Sequence, residues 1–324
     1  MIHTKKLTKT YRLFEKEAGL SGSIKSLFNR KYTYKTALSD FDLDISEGEF
    51  VGLIGPNGAG KTTLIKLLTG IIAPTSGEIS VLGYYPNKLE NSFKMQYAVV
   101  MGQKSQLFFE LTAADTFLLF KELYNIPADV YQKNLDYFVS LFDVGDLLNV
   151  QVRTLSLGER MKMELIAALL HSPRVLFLDE PTIGLDAVAQ RQIRMFLRDV
   201  NKEKGTTIIL TSHYMENIKS LCKRCVVINQ GEKIYDGSTD FLFEKYQVHK
   251  KITLHFAEPT DFALPQGCEI IEKNPLKCAF FAPFESTQQI AYAMMRQYEL
   301  SDITIEEDEI GSVVERIYNN RAGE

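Results

Sequence analysis

Gly55-Pro56-Asn57-Gly58-Ala59-Gly60-Lys61-Thr62 sets two glycines, a lysine and a hydroxyl at the spacing G-x-x-x-x-G-K-[ST]. Glycines so placed let the backbone curl until successive N–H groups point inward at phosphate oxygens, with a helix N-terminus behind them. The stretch lies between the apolar run Phe50-Val51-Gly52-Leu53-Ile54 and the helical pattern Thr63-Leu64-Ile65-Lys66-Leu67-Leu68. That is the strand–loop–helix setting a phosphate cradle needs. In it Lys61 would reach the β- and γ-phosphates of a nucleoside triphosphate, and the Thr62 hydroxyl would hold Mg²⁺. Gly55, Asn57, Gly58, Ala59, Gly60, Lys61, Thr62 and Thr63 are therefore the candidate phosphate-binding residues. At ordinary residue frequencies chance gives this string in about one chain in 100 of this length, so a plain turn before a helix is the weaker reading.

Two acids complete a possible chemistry. Asp179 and Glu180 follow the continuous apolar run Val175-Leu176-Phe177-Leu178, which reads as a strand buried on both faces of a parallel sheet. Asp179 would hold Mg²⁺ beside the phosphate loop, and Glu180 would take a proton from an attacking water. The plain alternative is a pair of helix-start acids ahead of Pro181, which the buried strand before them disfavours. Ser156-Leu157-Gly158-Glu159 fits a capping box, and the helix it opens presents an N-terminus able to receive an anion. His213, after Leu210-Thr211-Ser212, could contact a γ-phosphate, although a lone histidine is more often structural. Gln103, at the end of a strand, could orient water or metal.

The elements that must position these groups alternate strand and helix. Residues 2–11 and 36–54 read as strands of a first sheet, and residues 12–35 as an insertion that does not pattern as strand. Within it Leu20, Ile24, Leu27 and Phe28 fall on one face of a short helix, with Lys25, Arg30, Lys31 and Lys35 around them. That is either a hairpin extension packed on its own sheet or a basic amphipathic element that touches a membrane surface or partner. Strands follow at 78–82 and 97–101. Helical text runs from Thr112 to about Gly145, interrupted at Pro127, and a third helix opens near Ser156 and stops at Ser172-Pro173. A helix at 187–203, a strand at 207–211, a helix from Met215 and a strand at 225–229 complete an α/β pattern. Beyond Gly237 the character changes. Residues 241–250 are helix or connector, strands read at 251–256, 268–273, 278–283 and 302–306, and helices at 287–298 and 310–319.

Composition bounds the class. At 324 residues the chain favours one large domain and a smaller one, and 45% apolar with 24% charged residues is ordinary for a soluble globular protein. A net charge of −4 gives no reason to expect nucleic acid as a partner. Cys222, Cys225, Cys268 and Cys278 are too few and scattered for a disulfide framework. The pair spaced C-x-x-C has no second half for zinc, so free thiols in a reducing cytosol are expected. The N-terminus has lysines but no apolar core of a secretory signal. No run approaches the roughly 18 apolar residues of a spanning helix, so any membrane span would belong to another subunit.

Taken in order, Gly55–Thr62, Gln103, Leu155-Ser156-Leu157-Gly158-Glu159, Leu176–Glu180, Gly184-Leu185-Asp186 and His213 resemble the Walker A loop, Q-loop, signature, Walker B, D-loop and H-switch of ABC transporter ATP-binding subunits. The resemblance covers about residues 2–237. It implies an α/β P-loop NTPase fold over residues 1–240: a mixed β subdomain, a RecA-like core and a helical subdomain at about 104–172. A small α+β accessory domain would occupy 241–324. It further implies a cytoplasmic ATPase, peripheral on the inner face of the membrane. Two copies would close head to tail around two Mg-ATP and drive an integral-membrane permease. By that resemblance Glu180 is the general base, His213 the γ-phosphate switch, and Gln103 the metal and water ligand that couples to the permease. Ser156, Gly158, Glu159 and Asp186 would approach the nucleotide. Tyr11 would stack on adenine, with Tyr32 and Tyr34 as competitors. The sequence is most like exporter ATPases that pair with a separate permease.

It departs from the usual signature Leu-Ser-Gly-Gly-Gln at Leu157 and Glu159. A carboxylate aimed at a triphosphate would be repelled, so Glu159 is expected to turn back into the capping box while Ser156 and Gly158 face ATP. A non-transport relative acting in translation or DNA maintenance is the alternative, but the chain lacks the tandem ATPase units or long coiled coil such proteins carry. A GTPase switch should carry Asn-Lys-x-Asp; the nearest text, Asn201-Lys202-Glu203-Lys204, lacks the Asp.

Overall fold

Alternating and continuous apolar runs sort the strands into sheets of two kinds. The structure, a computed structural model, describes residues 1–15, 31–102, 104–212, 215–246 and 249–307. It divides into two compact units, Met1–Asp236 and Gly237–Glu324. The first unit runs β1 (Ile2–Glu15), β2 (Lys31–Ile45), β3 (Phe50–Ile54), α1 (Lys61–Leu68), β4 (Ser76–Val81), α2 (Asn91–Lys94) and β5 (Tyr97–Met101). It continues through α3 (Ala113–Leu123), α4 (Ala128–Phe142), α5 (Leu157–Leu169), β6 (Val175–Asp179), α6 (Ala187–Lys204), β7 (Thr207–Thr211), α7 (Met215–Leu221), β8 (Arg224–Asn229) and β9 (Glu232–Ser238).

Among the described residues β2-β1-β4 form an antiparallel sheet, and a six-stranded sheet has the order β5-β6-β7-β3-β8-β9. The first five strands of that second sheet are parallel. The last joins through Gln230-Gly231, both at positive φ (49° and 85°), as a two-residue hairpin turn requires. The central strands are buried on both faces, which is why they read as unbroken apolar runs.

Helix α1 is held between the two sheets. Its Leu64, Ile65, Leu67 and Leu68 share one core with Leu43, Ile45, Ile79 and Val81 on one side and Leu53, Phe177, Ile209 and Val226 on the other. Each such side chain is worth about 1.5–3 kcal/mol of burial. The helix start, and with it the phosphate loop, is thereby fixed from two directions.

The strand readings need three corrections. Residues 36–54 do not form one sheet: β2 ends at Ile45 in the antiparallel sheet, and Phe50–Ile54 lies in the middle of the parallel one. The ends of the presumed insertion are strand, since Arg12 pairs with Tyr34 and Leu13 with Thr33. That ribbon has no buried face to mark it, with Leu13 46% and Tyr34 67% exposed. The strand β9 also went unread, because its burial is intermediate along nearly its whole length. The amphipathic residues Leu20, Ile24, Leu27 and Phe28, and the helix expected at 310–319, lie outside the described residues.

The segment after β5 is helical, opened at α3 by a capping box in which Thr112 and Asp115 exchange hydrogen bonds. The ring of Tyr124, just past α3, stacks on His171, just past α5, with centroids 4.0 Å apart, while His171 Nε2 lies 3.2 Å from the Tyr97 carbonyl of β5. One half-buried imidazole thus joins three elements.

The second unit comprises α8 (Thr239–Tyr246), β10 (His249–Phe256), β11 (Glu269–Asn274), β12 (Lys277–Pro283), α9 (Thr287–Gln297) and β13 (Leu300–Glu307). Its antiparallel sheet, ordered β11-β12-β10-β13, packs Ile252, Leu254 and Phe280 against Ile290 and Met294 of α9. All four cysteines are free thiols.

Burial pushes the His171 pKa down to about 4, against about 6.5 in an unfolded chain. The unfolded chain therefore takes up a proton that the folded one resists, so this contribution to stability is full above pH ~6.5 and is lost as pH falls towards 4. Urea unfolding at several pH values should show the parent losing about 1 kcal/mol per pH unit more than His171→Phe between about pH 6 and 5. Parallel pH profiles would remove the histidine from this account.

Candidate active site

The phosphate loop follows β3 and curls over the start of α1. A Cβ on Gly60, at φ 119°, would lie 2.6 Å from the Ala37 carbonyl, and one on Gly55 would lie 2.2 Å from the Ile228 carbonyl. Only glycine fits at either position. The loop borders a cavity of about 410 Å³ lined by Asn57, Gly58, Ala59, Gly60, Lys61, Thr62 and Thr63, together with Lys104, Asp179 and Glu180. Lys61 is 6% exposed, and its Nζ donates to the Gly55 and Pro56 carbonyls at 2.7 and 3.2 Å. Burial lowers its pKa, and the charges of Glu180 and Asp179 act in the opposite direction.

Three segments meet at the Asp179 carboxylate. Thr62 Oγ1 of α1 donates to Oδ2 at 2.8 Å, and Thr211 Oγ1, the last residue of β7, donates to Oδ1 at 2.7 Å. The Thr211 hydroxyl also accepts from the Glu180 amide at 3.0 Å. Glu180 itself holds φ 55°, a left-handed conformation that costs a non-glycine residue of order 1–3 kcal/mol. Its carbonyl crowds Gly102: a Cβ there would lie 2.1 Å away. Below the site, buried Asn217 donates to Thr182 Oγ1 at 2.8 Å and Ser212 Oγ at 3.0 Å, tying the loop after Glu180 to the residue before His213.

Not every candidate gathers here. Gln103 and His213 lie outside the described residues. Tyr11 pairs with Lys35 in the β1–β2 ladder, half-buried under Lys9, whose Nζ is 5.3 Å from its ring. Neither Tyr11 nor its competitors Tyr32 and Tyr34 lines the cavity, and Ser156, Gly158, Glu159 and Asp186 do not line it either. Ser156 caps α5, and Glu159 Oε2 accepts from the Ser156 amide at 2.8 Å and its hydroxyl at 2.7 Å. These bonds hold the Glu159 carboxyl below its usual range. The carboxylate thus occupies its own capping box. Asp186 caps α6 by accepting from the Ala189 amide at 2.8 Å.

Thr211, Gly102 and Lys104 are site residues that sequence reasoning missed. Thr211 becomes legible only once β7 is known to lie beside β6, and Gly102 only once β5 is known to lie on the other side. The Thr62 hydroxyl and the Asp179 carboxylate form a hard-oxygen donor set of the kind Mg²⁺ selects. The residues present therefore fit the cation.

Comparison with known proteins agrees with this fold. A family profile described as ABC transporter matches residues 38–183. The ABC transporter ATP-binding protein NatA of Bacillus subtilis is 33% identical over 217 residues, spanning 67% of this chain and 88% of NatA. The daunorubicin resistance ATP-binding protein DrrA3 of Streptomyces coeruleorubidus is 34% identical, over 66% of this chain and 67% of its own. A solved structure described as the ATP binding subunit of an ABC transporter superposes with TM-score 0.62 at 25% identity, covering 76% of this chain and 92% of its own. The ATP-binding cassette MJ0796, solved as a dimer bound to ADP and Pi, shares the fold with TM-score 0.60 at 24% identity, over 74% of this chain and 99% of that one.

The fold is that of a P-loop NTPase, and the chain belongs to the ABC transporter ATP-binding family. It is an ATPase.

Replacing Thr211 with the isosteric valine removes the donor to Asp179 and the acceptor for Glu180 N–H. Steady-state ATPase activity in Thr211→Val should fall about tenfold, the cost of one charged hydrogen bond, and the Mg²⁺ concentration for half-maximal rate should rise. Unchanged Mg²⁺ dependence would show that Thr211 does not act through Asp179.

Proposed function

We propose that this ATPase subunit works as half of a two-copy machine, each copy supplying one side of two nucleotide sites, and that closure and reopening drive an integral-membrane permease. The carrying observation is a separation within the chain. The Lys61–Thr62–Asp179 cluster lines the cavity, whereas Ser156 and Gly158, at the exposed start of α5, do not. A second copy docked head to tail would bring its Ser156 and Gly158 to the nucleotide, a reading supported by the dimeric arrangement of MJ0796.

In this reading the loop amides and Lys61 bind the phosphates, and Thr62 and Asp179, with Gln103, would hold Mg²⁺. That ion would offset charge on the β- and γ-phosphates. Glu180 takes the proton from the attacking water, its backbone angle and its bond to Thr211 aiming the carboxylate from the end of β6. His213 senses the γ-phosphate, Asp186 approaches the nucleotide, and Tyr11 stacks on adenine.

Membrane pairing has its own support. No helix among the described residues is long and apolar enough to cross a membrane. Phe108, Phe109 and Leu111, in the stretch after Gln103, and Leu118, Leu119 and Leu123 on α3 are 38–63% exposed, an apolar face suited to a permease subunit. We infer a location on the cytoplasmic face of the membrane. The resistance role in the name of DrrA3 favours export. Residues 241–324 would serve as an accessory or regulatory domain.

Glu180→Gln tests the core of this reading. Turnover should drop by about 10²- to 10⁴-fold, the contribution of a general base, and the variant should elute as a dimer only with Mg-ATP in size-exclusion chromatography with light scattering. Hydrolysis at the parent rate would refute the base; a variant that stays monomeric at saturating Mg-ATP would refute the two-copy site.

A further inference from the structure

Helix α5 carries a buried acid that the catalytic account does not use. Glu164 lies about two turns after Ser156 on the inward face of the helix and is 3% exposed. Its Oε1 accepts from Ser105 Oγ at 2.5 Å and from the Gln106 amide at 2.9 Å, and Oε2 accepts from the same amide at 3.1 Å. The Leu107 amide, at 3.4 Å, also points to Oε1. The segment is anchored a second time, because Gln106 Nε2 donates to the Val99 carbonyl of β5 at 2.8 Å. Ser105, Gln106 and Leu107 therefore wrap a carboxylate contributed from 57 or more positions along the chain.

A buried acid costs several kcal/mol unless its oxygens are satisfied. Burial raises the Glu164 carboxyl above its ordinary range, and the three donors and the Arg160 charge pull the other way. An apolar residue here would leave the Ser105 hydroxyl and the Gln106 and Leu107 amides without this acceptor, so the acid is kept for its bonds and not for core packing. What it adds is a charged, directional link between two segments that no strand or helix joins. One begins two residues after Gln103; the other begins at Ser156.

We propose that Glu164 is a positioning residue: its carboxylate fastens segment 105–107 to the helix whose first turn carries Ser156 and Gly158. A shift of Gln103 on nucleotide binding is then transmitted within the same chain to the surface offered to the second copy. This rests on the reading above that Gln103 helps to hold the Mg²⁺ of the bound nucleotide. A carboxylate suits the task because it only accepts, and all three neighbours donate. Glutamine has the same shape but turns an NH₂ towards one of those donors.

The test is hydrogen exchange followed by mass spectrometry on the full chain, with and without Mg²⁺ and a non-hydrolysable ATP analogue. In the parent, amides in 104–108 and 155–160 should change protection together on binding. In Glu164→Gln the change at 104–108 should persist, while exchange at 155–160 in the bound state should be about tenfold faster than in the parent, the effect of losing one charged hydrogen bond. Analogue affinity should stay at the parent value, which a merely structural defect would not allow.

Ser105→Ala, which removes one donor and keeps the charge, should give an intermediate uncoupling and carries the test if Glu164→Gln does not fold. Equal responses of both segments in parent and variants would overturn the role of Glu164 alone. Analogue binding without any response at 104–108 would overturn the Gln103 reading and the proposal with it. Coupled exchange in a chain that never dimerises would count against the two-copy site and leave Glu164 in place.

Discussion

The Asp179 carboxylate is the point on which this site depends. It sits where β6 emerges from a core in which Val175–Leu178 are fully buried, and its two oxygens receive hydroxyls from opposite directions. One comes from the first turn of α1, the other from the end of β7. Bonds to a charged acceptor are worth about 1.5–3 kcal/mol each, roughly twice a neutral pair, and their geometry is directional. The phosphate loop, Asp179 and Glu180 are therefore referred to one atom group, not to three independent loops.

Around that point the backbone is drawn tight. Glu180 adopts a left-handed conformation and its carbonyl lies so close to Gly102 that no side chain fits there. The strain is held by neighbours that are themselves fixed: Thr211 by the parallel ladder, Gly102 by the hydrogen bond its N–H donates to the Asp179 carbonyl at 2.8 Å, and Thr182 by buried Asn217. A carboxylate placed this way spends little freedom on finding its direction, which favours a fixed line over adaptability.

Charge at the start of α5 is handled differently. Glu159 stands where the related signature has a neutral amide, and a free carboxylate there would repel a triphosphate. The capping box consumes it, because Ser156 presents both an amide and a hydroxyl to one of its oxygens. Glu164 on the same helix faces inward to donors of segment 105–107. Two acids on one helix thus have separate partners, and the N-terminal anion preference of the helix is preserved.

Spacing along the chain was enough for features whose partners lie within a few residues. The phosphate loop, the capping box at Ser156, the buried run before Asp179 and most helix bounds follow from local sterics and periodicity, so they are legible in the string of residues. The exposed outer part of the β1–β2 ribbon was not, since nothing buries one of its faces, and residues 36–54 were merged because sheet membership leaves no local trace. Thr62 meets Asp179 across 117 positions and Thr211 meets it across 32, distances set by strand order. No short-range rule names β7 as the neighbour of β6, or segment 105–107 as the partner of Glu164. The residue types that make an ATPase were determined by the sequence alone. Which hydroxyl, glycine and buried acid serve them was decided by the tertiary structure, because hydrogen bonds of this kind are selected by the packing of sheets and helices and not by distance along the chain.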